Sequence, residues 1–256
     1  MRIEFLNEVV YLLFTSFILY LMGKFSTPNC FECPNRKGPL MGCCQLSELD
    51  FISGSKVSQS YQKGERIFSE GNPAMGMHCV HQGKIKITKS GSDGKQQIVR
   101  LAKDGALLGF RSLLTGTKYS TSAVALEDCV VCCIPRSDFF RVWQSNLQFS
   151  TSLMQMMAKA LGDAEVQMLH LAYKPVRERL AEALLLLYHT FRKDDDKEPF
   201  AICISREDIA ALVGTAKETA TRLLSEFKED GIISTRGSQV TILKADSLSH
   251  IASLYA

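Results

Sequence analysis

The sequence has little net charge, no apolar run of membrane-spanning length, and none of the residue groupings that perform catalysis. Thirty Lys and Arg against 27 Asp and Glu leave a formal charge of +3, too small to identify an anionic or cationic partner. The strongly apolar stretch Val9–Met22 is 14 residues long, short of the roughly 20 that cross a bilayer as a helix. Arg2 is followed at once by Glu4 and Glu8, and no Ala-x-Ala site follows, so the segment lacks the two ends of a secretory signal. Three readings of it stay open: a membrane anchor, upstream residues before a true start at Met22, or an amphipathic or buried helix. No Ser/His/Asp set, Walker loop or carboxylate pair stands out, which argues against an enzyme. The nine cysteines are odd in number and are not spaced as a small disulfide scaffold; a reducing cytoplasm is the simpler setting.

What is present has a clear order. The chain of 256 residues is 46% hydrophobic, enough to bury a core in one large or two ordinary domains. Residues 1–29 form the apolar N-terminal segment and residues 30–50 a cysteine-containing arm. Residues 51–136 contain short runs rich in β-branched residues, such as "HCVHQGKIKITKS" and "TSAVALEDCVVCCIP", separated by Gly, Asn, Pro and Asp turns. In "GKIKITKS", Ile85 and Ile87 alternate with Lys84, Lys86 and Thr88, as in a half-buried strand. Many short strands at even spacing predict an all-β barrel or jelly roll. From residue 137 to 172 there is no Pro and a single Gly, Gly162, and apolar residues recur at Phe149, Leu153, Met156, Ala160, Met168 and Leu171. That spacing predicts one long helix with an apolar seam; the seam fits packing on its own domain or against a second copy, which the small Ala160 and Ala164 would let approach closely. Residues 173–256 begin with a further helix and the acidic loop "KDDDKEP", a solvated connection.

The remainder of that segment reads as a winged helix-turn-helix. Ser205 precedes "REDIAALV" as an N-cap, with Asp208 three residues on in a loose capping-box pattern. Gly214 permits the tight turn, Thr215 or Ala216 opens "KETATRLLSEFKEDG", and Gly231 stops it. "IISTRGSQVTIL" is then a hairpin around Arg236-Gly237-Ser238, the wing. A helix that reads DNA presents its N-terminal side chains to base edges in the major groove. Glu218 and Arg222 lie four apart on one face; Glu accepts from cytosine N4 and Arg grips guanine O6 and N7. An ordinary i,i+4 ion pair explains the same spacing when taken alone. The candidate DNA contacts are Ser205, Thr215, Lys217, Glu218, Thr221, Arg222 and Arg236. Residues 173–256 hold 12 Lys and Arg and 13 Asp and Glu, a net 12 − 13 = −1, so the positive charge that meets phosphate must be local.

The layout from about Cys44 to Leu243 resembles the Crp/Fnr family of bacterial transcription regulators. "YQKGERIFSEGNPAMGMHCVHQGKIKI", "GALLGF" and "ISREDIAALVGTAKETATRLLSEFKEDGII" carry the resemblance, with a Bacteroidetes-type texture. It implies an α+β chain: a sensor similar to cyclic-nucleotide-binding domains, a dimerisation helix, and a winged domain that reads an inverted repeat of double-stranded DNA as a homodimer and meets RNA polymerase. The nucleotide-binding members carry a Gly-Glu-Leu turn and a later Arg-Ser. Here Ala106 and Leu107 follow Gly105, no Glu occurs up to Val124, and Arg111-Ser112 falls too early. The oxygen-sensing members hold an iron–sulfur cluster through N-terminal cysteines and one distant cysteine. That implies Cys30, Cys33, one of Cys43 or Cys44, and Cys132, although the Cys33-to-Cys43 interval is longer than usual in those members. Zinc on Cys30, Cys33, Cys43 and Cys44, a thiol redox switch, and cysteines that bind nothing also fit. Cys129, Cys132 and Cys133 also fit as small core residues, and His78 and His81 as ordinary strand residues facing opposite ways. The competing class is a membrane-tethered ligand-binding module; a regulator that binds a cyclic nucleotide or another small effector is a further alternative.

Overall fold

The computed structural model describes residues 28–192 and 199–253. The apolar stretch Val9–Met22 and most of the acidic loop therefore lie outside the described residues. Among the described residues no helix is long and apolar enough to cross a membrane.

An arm, residues 28–45, makes two short 3-10 turns at Pro34–Lys37 and Met41–Cys43. It leads into α1 (Leu46–Ser55) and then into two four-stranded antiparallel sheets. The strands are β1 (Val57–Tyr61), β2 (Arg66–Phe68), β3 (Gly76–Gln82), β4 (Ile85–Ser90), β5 (Gln96–Ala102), β6 (Leu107–Leu108), β7 (Ser122–Ala125) and β8 (Cys129–Pro135), with α2 (Phe110–Thr115) between β6 and β7. Their orders, β1-β8-β3-β6 and β2-β7-β4-β5, put every pair of sequence neighbours except the β4–β5 hairpin on opposite sheets, the jelly-roll arrangement. Alternation along β8 divides its cysteines: Cys129 faces the inter-sheet core and Cys132 the outer face under the arm. On β4, Ile85 and Ile87 are buried as expected. Thr88 is buried too, because the β4–β5 register shifts between Ile87 and Thr88 and turns it inward.

The single helix expected from residue 137 is two. α3 (Arg136–Ser145) ends at Asn146, whose backbone is extended (φ −117°, ψ 103°), and α4 (Leu147–Tyr173) starts after it. Asn146 breaks the helix because its side chain is an N-cap, accepting from the Phe149 amide at 2.9 Å. The apolar seam also differs from the expected one. Phe149 and Leu153 are buried in their own protomer's core. Met154, Met157, Leu161, Ala164, Met168 and Leu171 instead form an exposed stripe at alternating three- and four-residue steps, with Leu161 63% and Met168 64% exposed. That is a coiled-coil seam.

The C-terminal part holds α5 (Val176–Phe191), β9 (Ala201–Cys203), α6 (Arg206–Val213), α7 (Lys217–Glu229), β10 (Ile233–Arg236), β11 (Gln239–Ile242) and α8 (Ala245–Ala252). One apolar core is shared between these helices and the sensor residues Ile98 and Leu126. Lys86 of β4 forms an ion pair with Asp208 of α6, and Gln97 Nε2 donates to the Leu212 carbonyl at 3.3 Å. The winged unit is thus docked on the β4–β5 hairpin.

Candidate nucleic-acid interface and cysteine cavity

Local sequence builds the helix-turn-helix as expected, with one change. Ser205 Oγ accepts from the Asp208 amide at 3.0 Å and caps α6. The Asp208 carboxylate does not complete the capping box; it is committed to Lys86 across the domain junction. Gly214 ends α6 in the left-handed region (φ 70°), and a Cβ there would lie 2.8 Å from Leu171 Cδ2. The left-handed backbone is what favours glycine at the turn; the Leu171 side chain could move aside.

α7 buries Ala220, Leu223, Leu224 and Phe227 on one face. Lys217, Glu218, Thr221 and Arg222 are exposed on the other, with Ser225 one turn further along. Its N-cap is Ala216, which supplies no side-chain acceptor, so the first amides of α7 lack a side-chain cap. The i,i+4 pair considered for Glu218 and Arg222 is not formed. Arg222 pairs with Glu226, one turn further on, and Lys217 pairs with Glu207 of α6. Arg177 holds the helix from behind, bonding Glu226 at 2.9 Å and Asp230 at 3.0 Å while its guanidinium lies over the Phe227 ring. Thr215 is half-buried in the turn and donates its amide to the Ala210 carbonyl at 3.1 Å. Arg236 is exposed at the end of β10, beside the wing turn at Gly237. Arg179 joins the long helix to this unit, donating to the Leu171 carbonyl at 2.7 Å and the Gly214 carbonyl at 3.3 Å.

The candidate ligand cysteines divide into two groups. Cys30, Cys33 and Cys132 line one small cavity between the arm and the outer face of β3 and β8, about 30 Å³ in volume, room for a single water. Cys79 and His81 of β3 line it as well. Cys79 lies directly opposite Cys132 in the β3–β8 register, and His81 Nδ1 is 3.4 Å from Cys33 Sγ. Lys56 Nζ is 3.0 Å from Cys30 Sγ, and Ser58 Oγ is 3.3 Å from Cys132 Sγ. Asn35 pins the arm to β3 by donating to the Val80 and His81 carbonyls at 3.2 and 2.8 Å. Burial pushes the Cys79 thiol up to about 12, helped by the neighbouring Cys132, Cys33 and Cys30. Burial likewise raises Cys132 and lowers His81.

Cys43 and Cys44 do not line the cavity. Cys43 Sγ is 3.2 Å from Ser152 Oγ on α4, and Cys44 Sγ faces the Leu40 carbonyl at 4.0 Å. Cys44 is driven up to about 12 by burial and then by Glu48. Among the described residues, no three His, Cys, Asp or Glu side chains stand close enough to hold a metal ion as they are. The donors round the cavity, thiols and an imidazole, nevertheless suit iron, its sulfur clusters and zinc.

Sequence reasoning took His81 for an ordinary strand residue and gave Cys79 no role. Their shared parity on β3 was visible; that this face lies under the arm was not. The same reading set His78 apart on the opposite face, and there it is buried against Phe68 and Tyr119.

A second, larger cavity of about 740 Å³ lies between the sensor sheets and the exposed stripe of α4. Arg100, Arg111 and Ser112 reach its wall beside apolar residues, and no carboxylate is among its lining residues. Arg100 donates to the Leu107 carbonyl at 2.8 Å.

Comparison with known proteins gives consistent likenesses. Residues 58–146 match the cyclic nucleotide-binding domain family and residues 178–251 the Crp-like helix-turn-helix domain. The chain is 31% identical over 208 residues to the transcriptional activator protein anr of Pseudomonas aeruginosa, covering 81% of this chain and 84% of that protein. It is 28% identical over 214 residues to the cyclic AMP receptor protein of Thermus thermophilus, covering 84% of this chain and 96% of that one. Among solved structures, FixK2 from Bradyrhizobium japonicum superposes with a TM-score of 0.68 at 28% identity, over 78% of this chain and 99% of that chain.

Proposed function

Because the chain belongs to the Crp/Fnr family of transcription regulators, we propose that it reads an inverted DNA repeat as a homodimer joined along α4. It is a DNA-binding regulator built from a cyclic-nucleotide-binding-type sensor and a helix-turn-helix. The exposed three-four stripe of α4 is the observation that supports the dimer: part of it borders the sensor cavity, yet its side chains stay exposed among the described residues, and a second copy would bury them. The two recognition helices α7 then face one side of the duplex about 34–36 Å apart, and half-site centres fall about 10–10.5 base pairs apart.

Within each half-site Glu218 and Arg222 are the base-reading residues, with Arg222 leaving Glu226 to reach guanine. Lys217, Thr221, Thr215, Ser205 and Arg236 are assigned to phosphate backbone contacts in this reading, together with the uncapped amides of α7. The test is footprinting and gel shift on the promoter of the chain's own gene. An inverted repeat with one-turn spacing is expected; protection of a single half-site by a monomer overturns the reading. Family resemblance adds RNA polymerase as a protein partner and the cytoplasm as the setting.

The signal enters at the arm. Cys30, Cys33 and Cys132 lie round one cavity, and the arm also touches α4 through Cys43 and Ser152. A metal group there would tie arm, sheet and dimer helix together. The resemblance points to an iron–sulfur cluster, which when bound supplies a tie sensitive to oxygen and redox state. Loss of that tie would shift the α4 seam and the spacing of the two α7 helices, a population shift that needs a differential affinity of a few kcal/mol. Anaerobic purification with a visible spectrum and iron and sulfide analysis tests it: colourless, iron-free protein overturns the cluster reading. A second reading, an apolar or anionic effector, is favoured by the 740 Å³ cavity with Arg100 and Arg111 at its wall. Ligand-dependent DNA binding by cysteine-free protein would decide for it.

A further inference from the structure

We propose that Cys79 is the fourth thiolate of a metal-binding set with Cys30, Cys33 and Cys132, and that Cys43 and Cys44 are not ligands. The inference rests on the reading that the arm cavity holds a metal group, and it names that group's donors.

Four observations carry it. Cys79 and Cys132 are directly opposed in the antiparallel β3–β8 pair, on the outer face under the arm, so two thiols are presented side by side by a rigid sheet. Cys30 and Cys33, a Cys-x2-Cys pair, line the same cavity from the arm side. Two paired thiols from each of two walls form a four-sulfur set of the kind that zinc and iron take. The third observation is what surrounds the set. Lys56, 3.0 Å from Cys30 Sγ, and Arg36 both border the cavity and offset the negative charge that four thiolates place round a dication. The fourth concerns the excluded pair: Cys43 is engaged with Ser152 Oγ at 3.2 Å, and Cys44 lies against the Leu40 carbonyl outside the cavity.

Loading releases one proton from each thiol as each metal–sulfur bond forms. The four sulfurs do not converge on one point, so binding would draw the arm inward for a single ion, or widen the cavity for a cluster. Zinc, ferrous iron and an iron–sulfur cluster share this donor chemistry, and elemental analysis separates them.

The experiment uses the full chain, purified without oxygen, as parent, Cys79→Ala and the Cys43→Ser/Cys44→Ser double variant. Iron, sulfide and zinc per protomer are measured after desalting. Cobalt(II) is then added to metal-free protein and its thiolate charge-transfer absorption is read. The expected result is that the double variant keeps the parent's metal content and cobalt spectrum. Cys79→Ala loses its metal on desalting and shows the weaker absorption of three thiolates. Cys129→Ala, buried on β8 but facing the inter-sheet core, keeps the metal, and Cys79→His restores retention of zinc. Circular dichroism separates ligand loss from failure to fold. Metal retained by Cys79→Ala and lost by the double variant overturns the assignment alone. A parent that holds no metal and leaves the cobalt spectrum unchanged overturns the underlying reading.

Discussion

Replacing Asn146 tests how the arm is coupled to the dimer helix. The side chain sits at the break between α3 and α4, 8% exposed, and does three things. Its oxygen accepts from the Phe149 amide at 2.9 Å. Its nitrogen donates to the Cys43 carbonyl at 2.9 Å and to Glu48 Oε2 at 2.8 Å. Loss of an N-cap costs about 1 kcal/mol. A neutral hydrogen bond adds about 1 and a bond to a carboxylate about 1.5–3. These share one side chain and are not additive, and Glu48 still accepts from the Gln45 amide at 2.8 Å. Asn146→Ala should therefore destabilise by about 2–4 kcal/mol. Asn146→Ser keeps an acceptor for the Phe149 amide but cannot span to Cys43 and Glu48, so it should recover about 1 kcal/mol of that loss and no more. Asn146→Asp keeps the cap yet sets a second carboxylate beside Glu48, and should recover less than Ser. Urea unfolding followed by the fluorescence of Trp143, the sole tryptophan and a neighbour of the break, reports on this joint. Hydrogen exchange of the arm amides should rise in all three variants. If Asn146→Ala falls within about 0.5 kcal/mol of the parent, or Asn146→Ser recovers full stability, the tie from arm to helix carries no energy and the coupling argument fails.

Arg222→Ala should cost about 1–3 kcal/mol of specific binding and relax preference at one guanine, whereas Arg236→Ala should weaken all sequences alike and reduce the salt slope by about 1; binding isotherms on a base-substituted site series at several salt concentrations separate the two. Lys86 and Asp208 are 17% and 18% exposed as a pair across the domain junction, so a Lys86→Ala/Asp208→Ala double-mutant cycle should show a coupling of about 0.5–3 kcal/mol, and additivity would mean that the ion pair adds nothing to the Ile98–Leu126 core and the Gln97 bond. Burial lowers the His78 pKa to about 4 from its ordinary 6.5, so the unfolded chain takes up the proton first as pH falls. Stability of the metal-free protein should drop between pH 6.5 and 4 by up to about 3 kcal/mol and level off below, and His78→Phe should remove that component; an unchanged pH profile in the variant would show that other groups set it.

Where the signal was local, residues in sequence were enough. Ser205 three residues before Asp208, Gly214 between two amphipathic runs, and Gly231 after Phe227 specify the helix-turn-helix because capping, left-handed turns and one helical face depend on partners no more than about four residues away. Repeated turn residues between alternating runs likewise pointed to a barrel or jelly roll of short strands. The family resemblance and the exposed face of α7 follow from the same local order.

What the tertiary structure decided was every matter of which distant residues meet. Cys132 was legible as a candidate, but its pairing with Cys79 depends on the β3–β8 register, fixed by burial over both sheets. Cys43 and Cys44 were equal candidates in sequence and were set outside the cavity by the path of the arm after Pro39. The N-cap of Asn146 on Phe149 is local, but the bonds of the same side chain to Cys43 and Glu48, about a hundred residues away in the chain, are not. The seam of α4 moved for the same reason. Phe149 and Leu153 fit the apolar period as well as Met154 and Leu161 do, and only the packing of the sensor core against the helix's first turns decides which set is buried and which is left for a second copy. Period states that a face exists; the positions of the other elements state what that face touches.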